Sequence, residues 1–272
     1  MWGKKQRANG SPPPAPSVHF RPVRPPLKIV RDGTGRPAVD VDVITMEKAQ
    51  KISLSKKVDA VGVALANRRL SGIRVNPLVL LDRSGSMAAD FRPGGPVETI
   101  LERALAFALQ VSPTGTVPVI AFDGQVSEPV VVDTSNYRTV IGREIPRPGF
   151  GSTNMTDAMR EVYRYAERTD LPLFCIVVAD GGPNDPDSTT REFCNLAAYP
   201  VFLKLLAVKP VEYFATLDDL DDTRRLLDNV DAKPEHGGKS LLAMNDSEFA
   251  DAMIDEYDSW IDLAVSAGIL VR

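Results

Sequence analysis

Residues 78–87 read Leu78-Val79-Leu80-Leu81-Asp82-Arg83-Ser84-Gly85-Ser86-Met87. Four consecutive apolar residues describe a strand buried on both faces, the kind found in parallel sheets. A carboxylate, two hydroxyls and a turn-permitting Gly85 follow at once. Similar apolar runs recur at Val117 to Phe122, Leu173 to Ala179 and Val201 to Val208. Helical stripes lie between them: Ile100, Leu101, Ala104, Leu105, Ala108 and Leu109, then Met155, Ala158, Met159, Val162, Tyr163 and Ala166. Strands alternating with helices predict an α/β fold, a Rossmann-like, doubly wound, mainly parallel sheet with helices on both faces. Val126 to Val132 is expected as an antiparallel edge strand. A last helix is expected from Asn245 or Asp246, with Phe249, Met253, Tyr257, Trp260 and Ala264 on one side and its end at Gly268.

Upstream of this core the pattern differs. Val41 to Thr45, Ile52 to Ser55, and Val61, Val63 and Leu65 alternating with small residues suggest an antiparallel β-hairpin. Residues 1–37 hold eight Lys and Arg against one Asp, and eight of the 22 prolines, so they read as a disordered, basic, Pro-rich arm. The rest of the chain carries 24 basic against 35 acidic residues. Three segments follow: the arm over 1–37, a hairpin extension over 38–74, and the main domain over 75–272. Arg21, Arg24, Lys28 and Arg31 could tether nucleic acid or an anionic surface, or the arm could serve only as a solubilising tail. With Phe20 and Trp2 its only aromatics, a base-stacking platform is weakly supported.

Composition is ordinary for a folded chain: 43% hydrophobic, 25% charged, 272 residues, net charge -4. The apolar runs fall short of the roughly 20 residues of a transmembrane helix, and no export signal is visible, so a soluble, cytoplasmic protein is expected. Cys175 and Cys194 sit in apolar stretches and are expected to be buried free thiols.

In a doubly wound sheet, ligands bind beyond the carboxyl ends of the strands. Three loops there carry oxygen-bearing side chains: Asp82-Arg83-Ser84-Gly85-Ser86, then Gly149-Phe150-Gly151-Ser152-Thr153-Asn154, then Asp180-Gly181-Gly182. Asp82, Ser84, Ser86, Thr153 and Asp180 together suit a hard divalent cation, Mg2+ first and Mn2+ second. Hydroxyl ligands leave such an ion much of its positive charge, so an open position would attract a carboxylate from a partner.

Asp82-x-Ser84-x-Ser86, Thr153 and Asp180 resemble the metal-ion-dependent adhesion site of the von Willebrand factor A (VWA) domain. The likeness spans roughly residues 74–270. It implies metal ligation by Ser84, Ser86 and Thr153, with Asp82 and Asp180 completing the site directly or through water, and a non-enzymatic protein that grips an Asp or Glu of a protein partner. Within the family the likeness is to the Ter-type bacterial and phage group associated with tellurium resistance. It is carried by 214–220 (Phe-Ala-Thr-Leu-Asp-Asp-Leu), Asp228-Asn229-Val230, and 256–261 (Glu-Tyr-Asp-Ser-Trp-Ile) ending in Gly268-Ile269-Leu270. The segment 52–56 resembles the strand that precedes the metal loop in that group. Two departures stand out: Gly151-Ser152 where the family has Gly-Gly, and Ala179 where Thr is common. Neither removes a ligand, although Ala179 lacks a hydroxyl that could support the site from behind and so strengthen metal binding.

Competing chemistries are weaker. Asp218, Asp219, Asp221 and Asp222 lack the spacing of a calcium loop and read as a solvated helix or turn. Asp185 and Asp187 fit helix capping as well as an outer-shell role. A serine hydrolase would need Ser84 or Ser86 with Asp180 and His236, but the Gly-x-Ser-x-Gly elbow is absent. A metal-dependent phosphatase would want Asp where Ser84 stands, and no Gly-rich phosphate loop occurs.

Overall fold

The computed structural model describes residues 21–149, 151–232, 235–236 and 239–272. In chain order the strands are β1 (Leu27–Lys28), β2 (Asn76–Asp82), β3 (Val117–Phe122), β4 (Val130–Val132), β5 (Leu173–Ala179), β6 (Val201–Ala207), β7 (Val230–Ala232), β8 (Glu235–His236), β9 (Lys239–Ser240) and β10 (Leu270–Val271). The helices are α1 (Lys48–Asn67), α2 (Pro96–Val111), α3 (Val140–Arg143), α4 (Met155–Arg168), α5 (Pro186–Leu196), α6 (Glu212–Asp218), α7 (Asp246–Met253) and α8 (Tyr257–Ser266).

Six strands form one sheet in the order β4-β3-β2-β5-β6-β7. All pairs are parallel except β3 with β4, where Val117 faces Val132. The expected edge strand is therefore present, shortened to three residues. Alternation along each strand sends side chains to two separate cores. Val79 and Leu81 face the layer of α1, α2, α7 and α8. Leu78 and Leu80 face the layer of α4, α5 and α6. This two-sided burial is why the strands read as continuous apolar runs. Cys175 and Cys194 are buried free thiols.

The expected hairpin is not formed. Residues 48–67 make a 20-residue helix that buries Leu54, Val58, Val61, Ala64 and Leu65 against the main core. Those positions recur at helical spacing, whereas Val63 is 61% exposed, which a shared strand face with Val61 would not allow. The segment 52–56 accordingly lies within α1, not on a strand before the metal loop.

The expectation of a disordered arm to residue 37 is corrected over its described part, and residues 1–20 lie outside the described residues. Residues 21–37 form a strap across the end of the sheet opposite Asp82. Val23 N–H donates to the Ala198 carbonyl at 3.2 Å. β1 pairs with β10 in parallel, Leu27 opposite Leu270. Asp32 N–H donates to the Gly72 carbonyl at 2.7 Å, and Arg74 pairs with the Asp32 carboxylate at 3.0 Å. Gly72 has φ +71° and leaves no room for a Cβ, which would come within 1.9 Å of the Asp32 carbonyl oxygen. Arg24 and Arg31 spend guanidinium donors on the Ala166 and Arg69 carbonyls, so these two cations hold the strap down.

The single last helix is also corrected: it is two helices, α7 and α8. Asn245 and Glu248 form a reciprocal capping box that starts α7, and Glu256, at φ 62°, breaks the run. The break lets Tyr257 and Trp260 stack with ring centroids 5.4 Å apart over Phe174 and Phe202, all fully buried.

Candidate metal centre

β2 ends in Asp82, whose side chain is fully buried at the carboxyl end of the sheet. One carboxylate oxygen accepts from the Ser84 N–H at 2.7 Å, which folds the chain back into the short 3-10 turn Gly85–Ala89. The other oxygen has no hydrogen-bond partner among the described residues. Burial pushes the Asp82 carboxyl up to about 6, against hydrogen bonding from Ser84 and with help from the Asp180 and Asp123 charges.

Three loops meet here. The Ser84 and Ser86 hydroxyls lie 3.0 Å apart, and Ser86 donates to Asp180 at 2.7 Å. Gly85 N–H donates to the Gly151 carbonyl at 3.3 Å. Thr153 is tied to the loop after β5 by Asn184, which donates its N–H to the Thr153 carbonyl at 3.0 Å and accepts the Thr153 N–H on its side chain at 3.2 Å. Asp82, Ser84, Ser86 and Asp180 thus form one connected set, with Thr153 held beside it through backbone contacts. Ala179 is fully buried in the apolar layer.

Two further strand ends add charge that the sequence reading passed over. Asp123, just after β3, takes the Arg83 guanidinium at 2.7 Å, and its carbonyl accepts the Asn154 N–H at 2.7 Å. Gly151 packs so closely on Asp123 that a Cβ would fall 2.5 Å from the aspartate Cβ, which accounts for glycine there even where Ser152 replaces the second one. Lys209, two residues past β6, places its ammonium 2.8 Å from Asp180 and 3.8 Å from Asp90. Both follow strand ends, those of β3 and β6, that lie outside the three loops marked by the sequence pattern. Around Asp82 stand the carboxylates of Asp90, Asp123 and Asp180, with Arg83 paired to Asp123 and Lys209 to Asp180. The candidate donors Asp82, Ser84, Ser86, Thr153 and Asp180 are all oxygen and include two carboxylates, which suits a hard divalent cation.

The other candidates fall elsewhere. Asp185 caps α5, accepting the Ser188 N–H at 3.0 Å. The 218–222 acids divide: Asp221 caps a short turn through the Thr223 N–H, while Asp218 accepts the Ala232 N–H at 2.8 Å. Carboxylate oxygens of Asp218, Asp231 and Glu256 lie within 4.8 Å of one another, beside the fully buried ion pair of Lys204 with Asp231. That grouping was invisible to spacing, and Lys204 already supplies positive charge to it. His236 lies on β8, in a two-stranded ribbon outside the main sheet, while Ser86 bonds a carboxylate directly, with no imidazole between. No helix among the described residues is long and apolar enough to cross a membrane.

An open α/β sheet with one antiparallel edge, helices on both faces and an Asp-x-Ser-x-Ser loop at its carboxyl end defines the chain as a von Willebrand factor A domain protein. It belongs to the vWA-TerF-like family, described as the VWA domain found in the TerF C terminus, whose model matches residues 73–270. The chain is 25% identical over 228 residues to the uncharacterized protein YcbR of Bacillus subtilis, covering 80% of this chain and 90% of that one. Among solved structures it is similar to manganese-loaded TRAP of Plasmodium vivax, at 14% identity and a TM-score of 0.45, covering 68% of this chain and 73% of that one. It is also similar to the ArnB paralog VWA2 of Sulfolobus acidocaldarius, at 17% identity and a TM-score of 0.39, covering 55% and 39%.

Proposed function

We propose that this chain is a non-enzymatic interaction module that binds Mg2+, or Mn2+ in its stead, through Asp82, Ser84, Ser86, Thr153 and Asp180, and so recruits an acidic residue of a protein partner. The observation that carries the reading is Asp82: a fully buried carboxylate with one oxygen spent on Ser84 and the other without a hydrogen-bond partner among the described residues. Such a group costs free energy unless a cation shares its site. A bound divalent ion supplies positive charge and an open coordination position that an incoming carboxylate fills. Within the chain, Asp82 shapes the loop through the Ser84 amide, Ser86 bridges to Asp180, and Arg83 neutralises Asp123. The family likeness extends the proposal to a stress-response or tellurium-resistance setting, bacterial or phage-encoded, in the cytoplasm.

Thermal unfolding in EDTA and then in millimolar Mg2+, Mn2+ or Ca2+ tests it. An ion that binds only the folded state adds about 2.7 kcal/mol at a hundredfold excess over Kd. A rise with Mg2+ or Mn2+ that is lost in Asp82→Ala supports the reading. No shift with any ion, either in this protein or with the Lys209 charge removed in Lys209→Met, removes it.

A further inference from the structure

Among the described residues, Lys209 is the one cation that touches the proposed ligand set directly. Asp180 has a nearly inaccessible side chain, 2% exposed, and both its oxygens are engaged: one takes the Ser86 hydroxyl at 2.7 Å, the other the Lys209 ammonium at 2.8 Å. The same ammonium lies 3.8 Å from Asp90, at the far end of the turn that carries Ser84 and Ser86. Asp90 is itself largely buried, and the oxygen facing Lys209 makes no hydrogen bond among the described residues. A single ammonium therefore joins the loop after β5 to the loop after β2 by charge.

We propose that Lys209 is a built-in counter-cation of these loops, which competes with a divalent ion for Asp180 and sets the metal affinity of the site low. The inference rests on the metal-binding reading above. Any ion that takes Asp180, directly or through water, shares that carboxylate with a positive charge already in contact with it. Like charges a few ångströms apart repel, and the ion pair to Asp180 weakens as the metal enters. Lys209 is a competitor and not a lock, because its side chain is 54% exposed and follows the last residues of β6, so the ammonium can move into water at small cost. This makes metal occupancy responsive to ionic strength and to the ion concentration around the protein.

The test is calorimetric titration of Mg2+ and of Mn2+ into the EDTA-stripped full chain, into Lys209→Met and into Lys209→Arg. Lys209→Met keeps the length of the side chain and removes its charge, and the exposure of the position leaves the fold intact. The expected result is a Kd about tenfold lower in Lys209→Met, Lys209→Arg close to the parent, and a gap that narrows as salt is raised. Binding that emerges only in Lys209→Met supports both readings. A parent that binds metal while Lys209→Met binds equally or more weakly overturns this inference alone, because Lys209 then only positions Asp180. Absence of binding in all three proteins overturns the metal-binding reading, and this one with it.

Discussion

The Ser86 hydroxyl donates to Asp180 at 2.7 Å across 94 positions of sequence, joining the loop after β2 to the loop after β5. The bond exists because β2 and β5 are parallel neighbours, with Leu81 opposite Val178, so their carboxyl ends open at the same edge. Asp180 follows β5 on a loop, and Asp82 is the last residue of β2, so neither side chain belongs to the apolar layers. Asp82→Ala and Asp180→Ala should therefore leave the far-ultraviolet circular dichroism spectrum unchanged while abolishing the heat of Mg2+ binding in calorimetric titration. Mg2+ affinity unchanged in both variants would show that the ion binds elsewhere.

Asp82 gives the protein a pH dependence of known sign. Burial raises its folded-state value from 3.8 to about 6, so the folded chain holds the proton longer than the unfolded one. The stability this contributes is full below the unfolded value and is lost as pH rises through about 6. In EDTA, urea unfolding should show stability falling by up to about 3 kcal/mol over that window. Asp82→Asn should flatten the window and stabilise the metal-free protein at pH 7. Mg2+ affinity should fall as pH drops below about 6, because proton and metal compete for one carboxylate. A slope of the same size in Asp82→Asn would assign it to another group.

Much of this geometry was legible in the sequence because parallel strands buried on both faces leave continuous apolar runs, and the loops at their ends carry the reactive oxygens. The convergence of Asp82, Ser84, Ser86 and Asp180 follows from that pattern. Other features left weaker marks. Ile52 and Leu54, or Val61, Val63 and Leu65, alternate like a strand over short stretches, and only the full span of α1 exposes the helical period. The break at Glu256 has no glycine or proline to announce it. The contacts of Lys209 with Asp180 and Asp90 come from sheet order, and local spacing carries no trace of them.

Tyr257 is fully buried, and its hydroxyl has no hydrogen-bond partner among the described residues. Its ring earns its position against Phe174, Phe202 and Trp260, with centroids 5.0 to 5.4 Å away. An unsatisfied buried hydroxyl costs about 1–3 kcal/mol. Tyr257→Phe should thus be neutral or stabilising by about 1 kcal/mol in urea unfolding, whereas Trp260→Ala should cost about 3–5 kcal/mol. A clear loss in Tyr257→Phe would mean that the hydroxyl is bonded in solution.

The helix at 48–67 can be separated from the hairpin by three truncations on its two faces. Leu54 is fully buried and Val61 is 4% exposed, while Val63 is 61% exposed. On a helix, Leu54→Ala removes a side chain packed into the α1, α2 and α7 layer and should cost about 2–5 kcal/mol. Val61→Ala should cost about 1–3 kcal/mol by loss of buried apolar surface. Val63→Ala lies on the solvent face and should shift stability by less than about 0.5 kcal/mol, with alanine's higher helix propensity opposing any small loss. On a strand, Val61, Val63 and Leu65 would share one face, and Val61→Ala and Val63→Ala would lose stability together. Chemical denaturation of the three variants decides between the two. Equal losses at 61 and 63 would overturn the helix, and with it the packing of α1 against the sheet whose loops carry Asp82 and Asp180.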